Sequence, residues 1–151
     1  VRRRLALAAM AAAVLAACGP IRIADAGRLE NTSWRAVEID RKPVDPATAP
    51  TFTVAQGQAT GFSGCNGFSA AAQMWGVQVA FGAVTRTERI CTVAQMRLEQ
   101  DFLVALTRSE RGGIQGDRLV LRDRAGDVRL RMARVENIAA PAGGGGAPTR
   151  R

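Results

Sequence analysis

Between Leu29 and Ile39 apolar and polar residues begin to alternate. A period of two is the mark of a half-buried strand, and it puts Trp34 and Ala36, with Glu38 next in phase, on one face. Ser33, Arg35, Val37 and Ile39 fall on the other, and Trp34, the largest apolar group, is expected inward. Pro43, Pro46 and Pro50 make 41–50 a loop. Thr51–Ala55 and Gln58–Phe62 are short strands around Gln56-Gly57, which reads as a hairpin. Phe68–Met74 and Val77–Phe81 are two more, turning near Trp75-Gly76, with Ala70, Ala71 and Ala72 weakening the first. Asn66-Gly67 before them predicts a type I′ turn, because both residues tolerate positive φ.

The period then changes. Thr92-Val93-Ala94-Gln95 has the form of a capping box, and the spacing predicts a helix from there to about Thr107. At 100° per residue Met96, Phe102, Leu103 and Leu106 share one side, with the acid Glu99 in the middle of the stripe. Gly112-Gly113 is expected to end the helical region. Ile114–Gln115, Arg118–Arg122 and Val128–Arg134 follow as strands, turning at Gly116-Asp117 and Ala125-Gly126. The last alternates Val128, Leu130 and Met132 with arginines, an apolar-in, arginine-out pattern. Arg129 and Arg131 on its outer face would discourage pairing at an exposed edge.

The flanks are of another kind. Arg2-Arg3-Arg4, an apolar run from Leu5 to Ala17, and then Cys18 have the layout of an export signal, too short to span a bilayer. Leu15-Ala16-Ala17-Cys18 matches a bacterial lipobox, so residues 1–18 are expected to be a lipoprotein signal peptide and Cys18 the lipidation site. Each buried methylene adds about 0.8 kcal/mol of membrane affinity, so a multiply acylated Cys18 is a stable anchor. Gly19 rather than Asp favours the outer membrane, facing the periplasm. Residues 19–28 read as a tether, 29–136 as the one folded domain, and 137–151, with Gly143–Gly146, as a disordered Gly/Ala/Pro tail.

Loss of Arg2, Arg3 and Arg4 with the signal leaves 18 basic against 13 acidic residues. The remaining arginines are scattered among acids and there is no tyrosine, unlike the basic, aromatic-interleaved stripe of a nucleic-acid reader. Histidine is absent, which removes the commonest general base, the commonest metal ligand and the Ser-His and Cys-His pairs. Two thiols without histidine are too few for zinc, so no metal or cofactor is expected.

With Cys18 acylated, two cysteines remain, and parity in an oxidising compartment favours a Cys65–Cys91 disulfide. It would close a loop worth about 3 to 4 kcal/mol in the chain-entropy model. Two buried thiols side by side, or a redox pair, are the alternatives. Asn66 reads as a turn former, through positive φ or a bond to its own backbone. A carboxylate on an apolar stripe must be protonated or paired. Glu99 is therefore expected to accept from the backbone amides of the Gly64–Gly67 turn, or to pair with Arg86 or Arg89; the alternative is a rim glutamate with its head in water.

Leu29, Asn31-Thr32 and Trp34, then Gly61 with Gly64-Cys65-Asn66 and Phe68, then Thr87 with Cys91, form a spaced set. Glu99 with Phe102-Leu103, and Gly116-Asp117 with Leu119 and Leu121, complete it. The set resembles the META domain, or HslJ-like, family of bacterial envelope proteins. It departs in carrying Arg89-Ile90 before the second cysteine and Ala70–Ala72 after the Gly-Cys-Asn run. The resemblance implies an α+β fold, mostly antiparallel β, as a small curved or barrel-like sheet with one packed α-helix. Gly64, Asn66, Thr87, Glu99 and Trp34 are its structural motif positions, and no catalytic residue comes with it. Family members are associated with stress; with the lipobox and the absent histidine this leads to the expectation of a non-enzymatic, membrane-anchored envelope lipoprotein, monomeric, in binding or in protection under heat shock and other stress. A small barrel-like carrier of a lipid or hydrophobic compound is the alternative.

Overall fold

The computed structural model describes residues 29–136. The signal segment, Cys18, the tether and the tail lie outside the described residues. Ten strands and one helix follow in the order β1 Thr32–Ile39, β2 Lys42–Pro43, β3 Thr51–Ala55, β4 Gln58–Phe62, β5 Gly67–Trp75, β6 Gln78–Phe81, β7 Thr85–Arg86, α1 Val93–Thr107, β8 Arg111–Gln115, β9 Arg118–Arg122 and β10 Val128–Val135. Eight of the strands, β1-β3-β4-β5-β6-β8-β9-β10, pair antiparallel in that order, and β10 pairs back onto β1 to close a barrel. The short β2 and β7 attach to β1 and β5. Among the described residues no helix is long and apolar enough to cross a membrane.

The barrel is filled. Trp34, Phe52, Val54, Leu119, Leu121, Leu130 and Met132 are fully buried and form one cluster with Phe102 and Leu106 of α1. Phe52 meets Phe81 edge to face at 6.1 Å, and Phe68 meets Phe102 likewise at 5.6 Å. The interior is thus a core and not a lumen.

The two ends differ. One holds Leu29, the end of β10, and the turns Gln56–Gly57, Gly76–Val77 and Gly116–Asp117. At the other, β1 and β4 finish, β5 begins, and α1 packs its first half against them. The helix is capped as its sequence predicts: the Thr92 hydroxyl accepts from the Gln95 amide, and the Gln95 side chain reaches back to the Thr92 amide.

Several strand details differ from the expectation. A bulge between Ala36 and Glu38 shifts the phase of β1, so Ile39 turns inward and is buried while Glu38 pairs outside with Arg131. β10 is not an edge: closure gives it two neighbours, and Arg129 bonds Asp40 and Asp123 instead of guarding an unpaired strand. Gly112 and Gly113 lie inside β8, because α1 already stops at Thr107. A Cβ on Gly112 would approach Leu121 to 3.1 Å, so the glycine lets β8 sit close to β9. Met96 is half exposed, since the docked side of α1 is set by Glu99, Phe102, Ala105 and Leu106. Asn66-Gly67 is not the positive-φ pair: that role falls to Gln56-Gly57 and, nearby, to Gly64.

Gly61 has the tightest backbone contact. A Cβ there would lie 1.9 Å from the Thr51 carbonyl oxygen and 2.7 Å from the Phe52 Cα. Backbone cannot yield as a flexible side chain does. Gly61→Ala is expected to cost on the order of 3 kcal/mol, read as the midpoint shift in urea unfolding. Gly113→Ala, with open space around its Cβ, is expected to change stability little.

Candidate functional site

Residues from three separate segments converge where α1 meets the barrel. The turn after β4 supplies Ser63, Gly64, Cys65 and Asn66. The segment from β7 supplies Arg86, Thr87 and Arg89, and the second turn of α1 supplies Glu99. Gly64 has φ +108°, and a Cβ on it would approach Leu98 to 3.1 Å, so glycine gives both the backbone angle and the room for α1.

Glu99 is the centre. Its side chain is 6% exposed. One oxygen accepts from the Ser63 hydroxyl and, at 2.9 Å, from the Asn66 backbone amide. The other accepts from Asn66 Nδ2 at 3.2 Å and from the Arg86 guanidinium. Burial by itself would raise its pKa. The Ser63 and Asn66 side chains, the Asn66 amide and the Arg86 charge together outweigh that and hold it below the ordinary value, so the carboxylate is ionised.

Asn66 is not a turn former by positive φ but a junction. Its carbonyl oxygen accepts from Thr87 Oγ1 at 2.9 Å and from the Arg89 backbone amide at 2.7 Å. Its amide nitrogen donates to Glu99 and, at 3.3 Å, toward Cys65 Sγ. Every polar atom of the side chain has a partner. Cys65 and Cys91 form a disulfide with Cα atoms 5.9 Å apart, tying the same turn to the residue before the helix cap.

The structure therefore brings Gly64, Cys65, Asn66, Thr87, Cys91 and Glu99 together. Trp34 stands apart, in the barrel interior, where its Nε1 donates to Thr32 Oγ1 and Arg134 lies 4.9 Å over its ring. Sequence reasoning missed Ser63 and the bridging part of Asn66. Thr60, Ser63 and Ser69 all lie near the motif, and no local signal marks Ser63 as the partner of the acid. Arg86 engages Glu99 through its side chain, whereas Arg89 takes part through its backbone.

With four donors upon it, the carboxylate is saturated and charged, poorly placed to exchange protons in a reaction. It fastens the helix to the barrel. Among the described residues no three His, Cys, Asp or Glu side chains are grouped to hold a metal ion. Beside the fastening lies a surface groove of about 690 Å³, lined by Ile39, Pro43, Val44, Val93 and Leu98 together with the charged Asp40, Lys42, Asp45, Arg97 and Asp101.

A closed antiparallel barrel with one helix clamped across an end by a buried carboxylate is the class that fold and site define. The chain belongs to the META domain family, whose model matches residues 27–136. Solved structures share the fold. A protein from Burkholderia xenovorans, solved by NMR, is 26% identical over 72% of this chain and 85% of its own, with a TM-score of 0.62. A DUF4847 family protein from Bacteroides vulgatus is 14% identical over 71% of this chain and 94% of its own, with a TM-score of 0.55. No curated protein matches the chain.

Glu99→Gln keeps the shape but turns an amide toward donors, and is expected to cost about 3 kcal/mol in thermal or urea unfolding. The pH dependence has a definite sign. A carboxylate with a lowered folded-state pKa stabilises fully above its unfolded value, and that stability is lost as pH falls through the folded value. The native chain should thus lose stability on acidification below about 4.5, and Glu99→Gln should flatten that slope.

Proposed function

We propose that this protein is a bacterial envelope lipoprotein, anchored to the outer membrane through Cys18, whose META domain acts as a non-enzymatic binding or stress-protection module in the periplasm. The observation that carries the reading is how the three cysteines divide. Cys65 and Cys91 are joined within the domain, which leaves Cys18, at the end of Leu15-Ala16-Ala17-Cys18, as the one available for a lipid. A disulfide of this kind suits an oxidising compartment. The non-enzymatic part rests on the saturation of Glu99 and on a chain without histidine, in which no nucleophile sits beside a base at the described site.

A carrier role for a lipid or hydrophobic compound has one observation in its favour, the groove between β1, β2 and α1. Its volume of about 690 Å³ falls in the range of small-ligand sites, and Ile39, Pro43, Val44, Val93 and Leu98 give it apolar surface among charged neighbours. The barrel interior gives no such room. Lipid or drug co-purifying with the protein, identified by mass spectrometry and lost on a Val93→Asp change, is the result this second reading expects.

The anchor is tested by fractionation and intact mass. Native protein should sediment with membranes and carry a mass increment of fatty acyl groups on Cys18. Cys18→Ala should move to the soluble fraction, and a variant that still sediments removes the anchor from the account. Reduction of Cys65–Cys91 should lower stability by about 3 to 4 kcal/mol in the same protein.

A further inference from the structure

Hairpin tips that face water are normally polar or glycine-rich. The tip between β5 and β6 reads Met74-Trp75-Gly76-Val77. Trp75 is 52% exposed and Val77 45%. Trp75 is held, not loose: its Nε1 donates to the Gln78 side chain, and its backbone pairs with Gln78 across the turn. An indole is thus presented with its polar edge occupied and much of its apolar surface in solvent.

Register makes the tip project past the β3–β4 turn. On the β4 side the last pair of β5 is Gln58 with Ala71, so the strand runs on to Trp75 with no β4 residue beside it. Gln73 to Trp75 therefore overhang the neighbouring β3–β4 turn by about 10 Å at strand rise. On the other side Gln78 pairs with Arg111, the Val77 carbonyl accepts from the Gly112 amide, and the β8–β9 hairpin runs on beside the tip.

Its location gives the overhang a meaning. The tip stands at the barrel end that also holds Leu29, where the chain enters the domain, opposite the end clamped by α1. Ten residues, 19–28, separate Leu29 from Cys18. Fully extended they reach about 35 Å, so a lipid on Cys18 puts the bilayer within reach of this end, to which the tether is joined directly. Tryptophan prefers the membrane–water interface, and apolar groups of surface-bound elements sit about 5–10 Å deep there.

Resting on the lipoprotein reading, we infer that the Trp75–Val77 tip is a second membrane contact. It enters the lipid interface beside the acyl anchor, so that the domain stands on the bilayer with its groove end turned away. The partner surface is phospholipid, and no charge pairing is required: Arg111, Arg118 and Arg134 near this end are accompanied by Glu30, Asp117 and Glu136.

The two tryptophans make the test direct, because Trp34 is wholly buried and Trp75 is not. The full chain, purified from the producing membrane with its lipid verified by mass spectrometry, is placed in phosphatidylethanolamine–phosphatidylglycerol vesicles with or without brominated acyl chains. Trp75 emission should be quenched by the brominated lipid and shielded from acrylamide, while Trp34 emission stays unchanged. Trp75→Ser should abolish the lipid quenching yet leave thermal stability and vesicle sedimentation intact. A lipidated, vesicle-bound chain whose Trp75 stays open to acrylamide and unquenched by bromine overturns the contact and leaves the anchor standing. A chain without lipid that stays in the supernatant overturns both.

Discussion

The fold turns on one buried negative charge. An ionised carboxylate beneath the protein surface is costly unless donors surround it. Glu99 meets that condition only where the β4–β5 turn, the β7 segment and α1 come together, since Ser63, Asn66 and Arg86 belong to the first two and Glu99 to the third. Each segment is polar where it would otherwise have to be apolar to pack. The interaction therefore selects a docking position for the helix more sharply than the apolar stripe around Phe102 could, because hydrophobic contact tolerates sliding and a four-donor carboxylate does not. Cys65–Cys91 crosses the same junction covalently. The charge gives direction, and the bond restricts the unfolded chain.

Barrel closure sets the second constraint. A small closed sheet has no free edges, but its strands must come close together. Gly61 and Gly112 sit where a side chain would meet backbone or a core leucine. The bulge in β1 serves the same end, bending the strand so that Ile39 and Trp34 both face inward despite an odd separation. The narrowest seam, β6 against β8, is where the chain leaves the sheet to make α1 and returns.

Strand positions were readable from the sequence wherever local rules govern. Alternation and turn chemistry located β3, β4, β6 and β9 closely, and the capping box located the start of α1 to the residue. The failures lie where the cause is non-local. Alternation alone points Ile39 outward, because a bulge is not written in it. Gly112-Gly113 looked like a helix stop because glycine that spaces two strands and glycine that ends a helix read alike. Met96 looked inward because the stripe was drawn from apolarity alone, while the carboxylate at Glu99 decides which side docks. At the site, the odd acid was visible as an anomaly, and the demand that it be paired followed from electrostatics. No local rule separates Ser63 from the other hydroxyls, and asparagine beside glycine reads as a turn residue.

The structure also divides the labour between its two ends. At the clamped end, ion pair, hydrogen bonds and disulfide overlap, and the groove beside them is framed by paired elements: Ile39 of β1 by β10 and β2, α1 by Glu99. A recognition surface gains from such rigidity, because little freedom remains to be lost on binding. At the opposite end three tight turns project past the strands, one of them apolar. In the proposed reading that end is a footing and the clamped end a platform. Glu99 then has a consequence beyond stability: by fixing α1, it fixes one wall of the groove, so the residue that holds the fold together also shapes the surface the domain can offer to a partner.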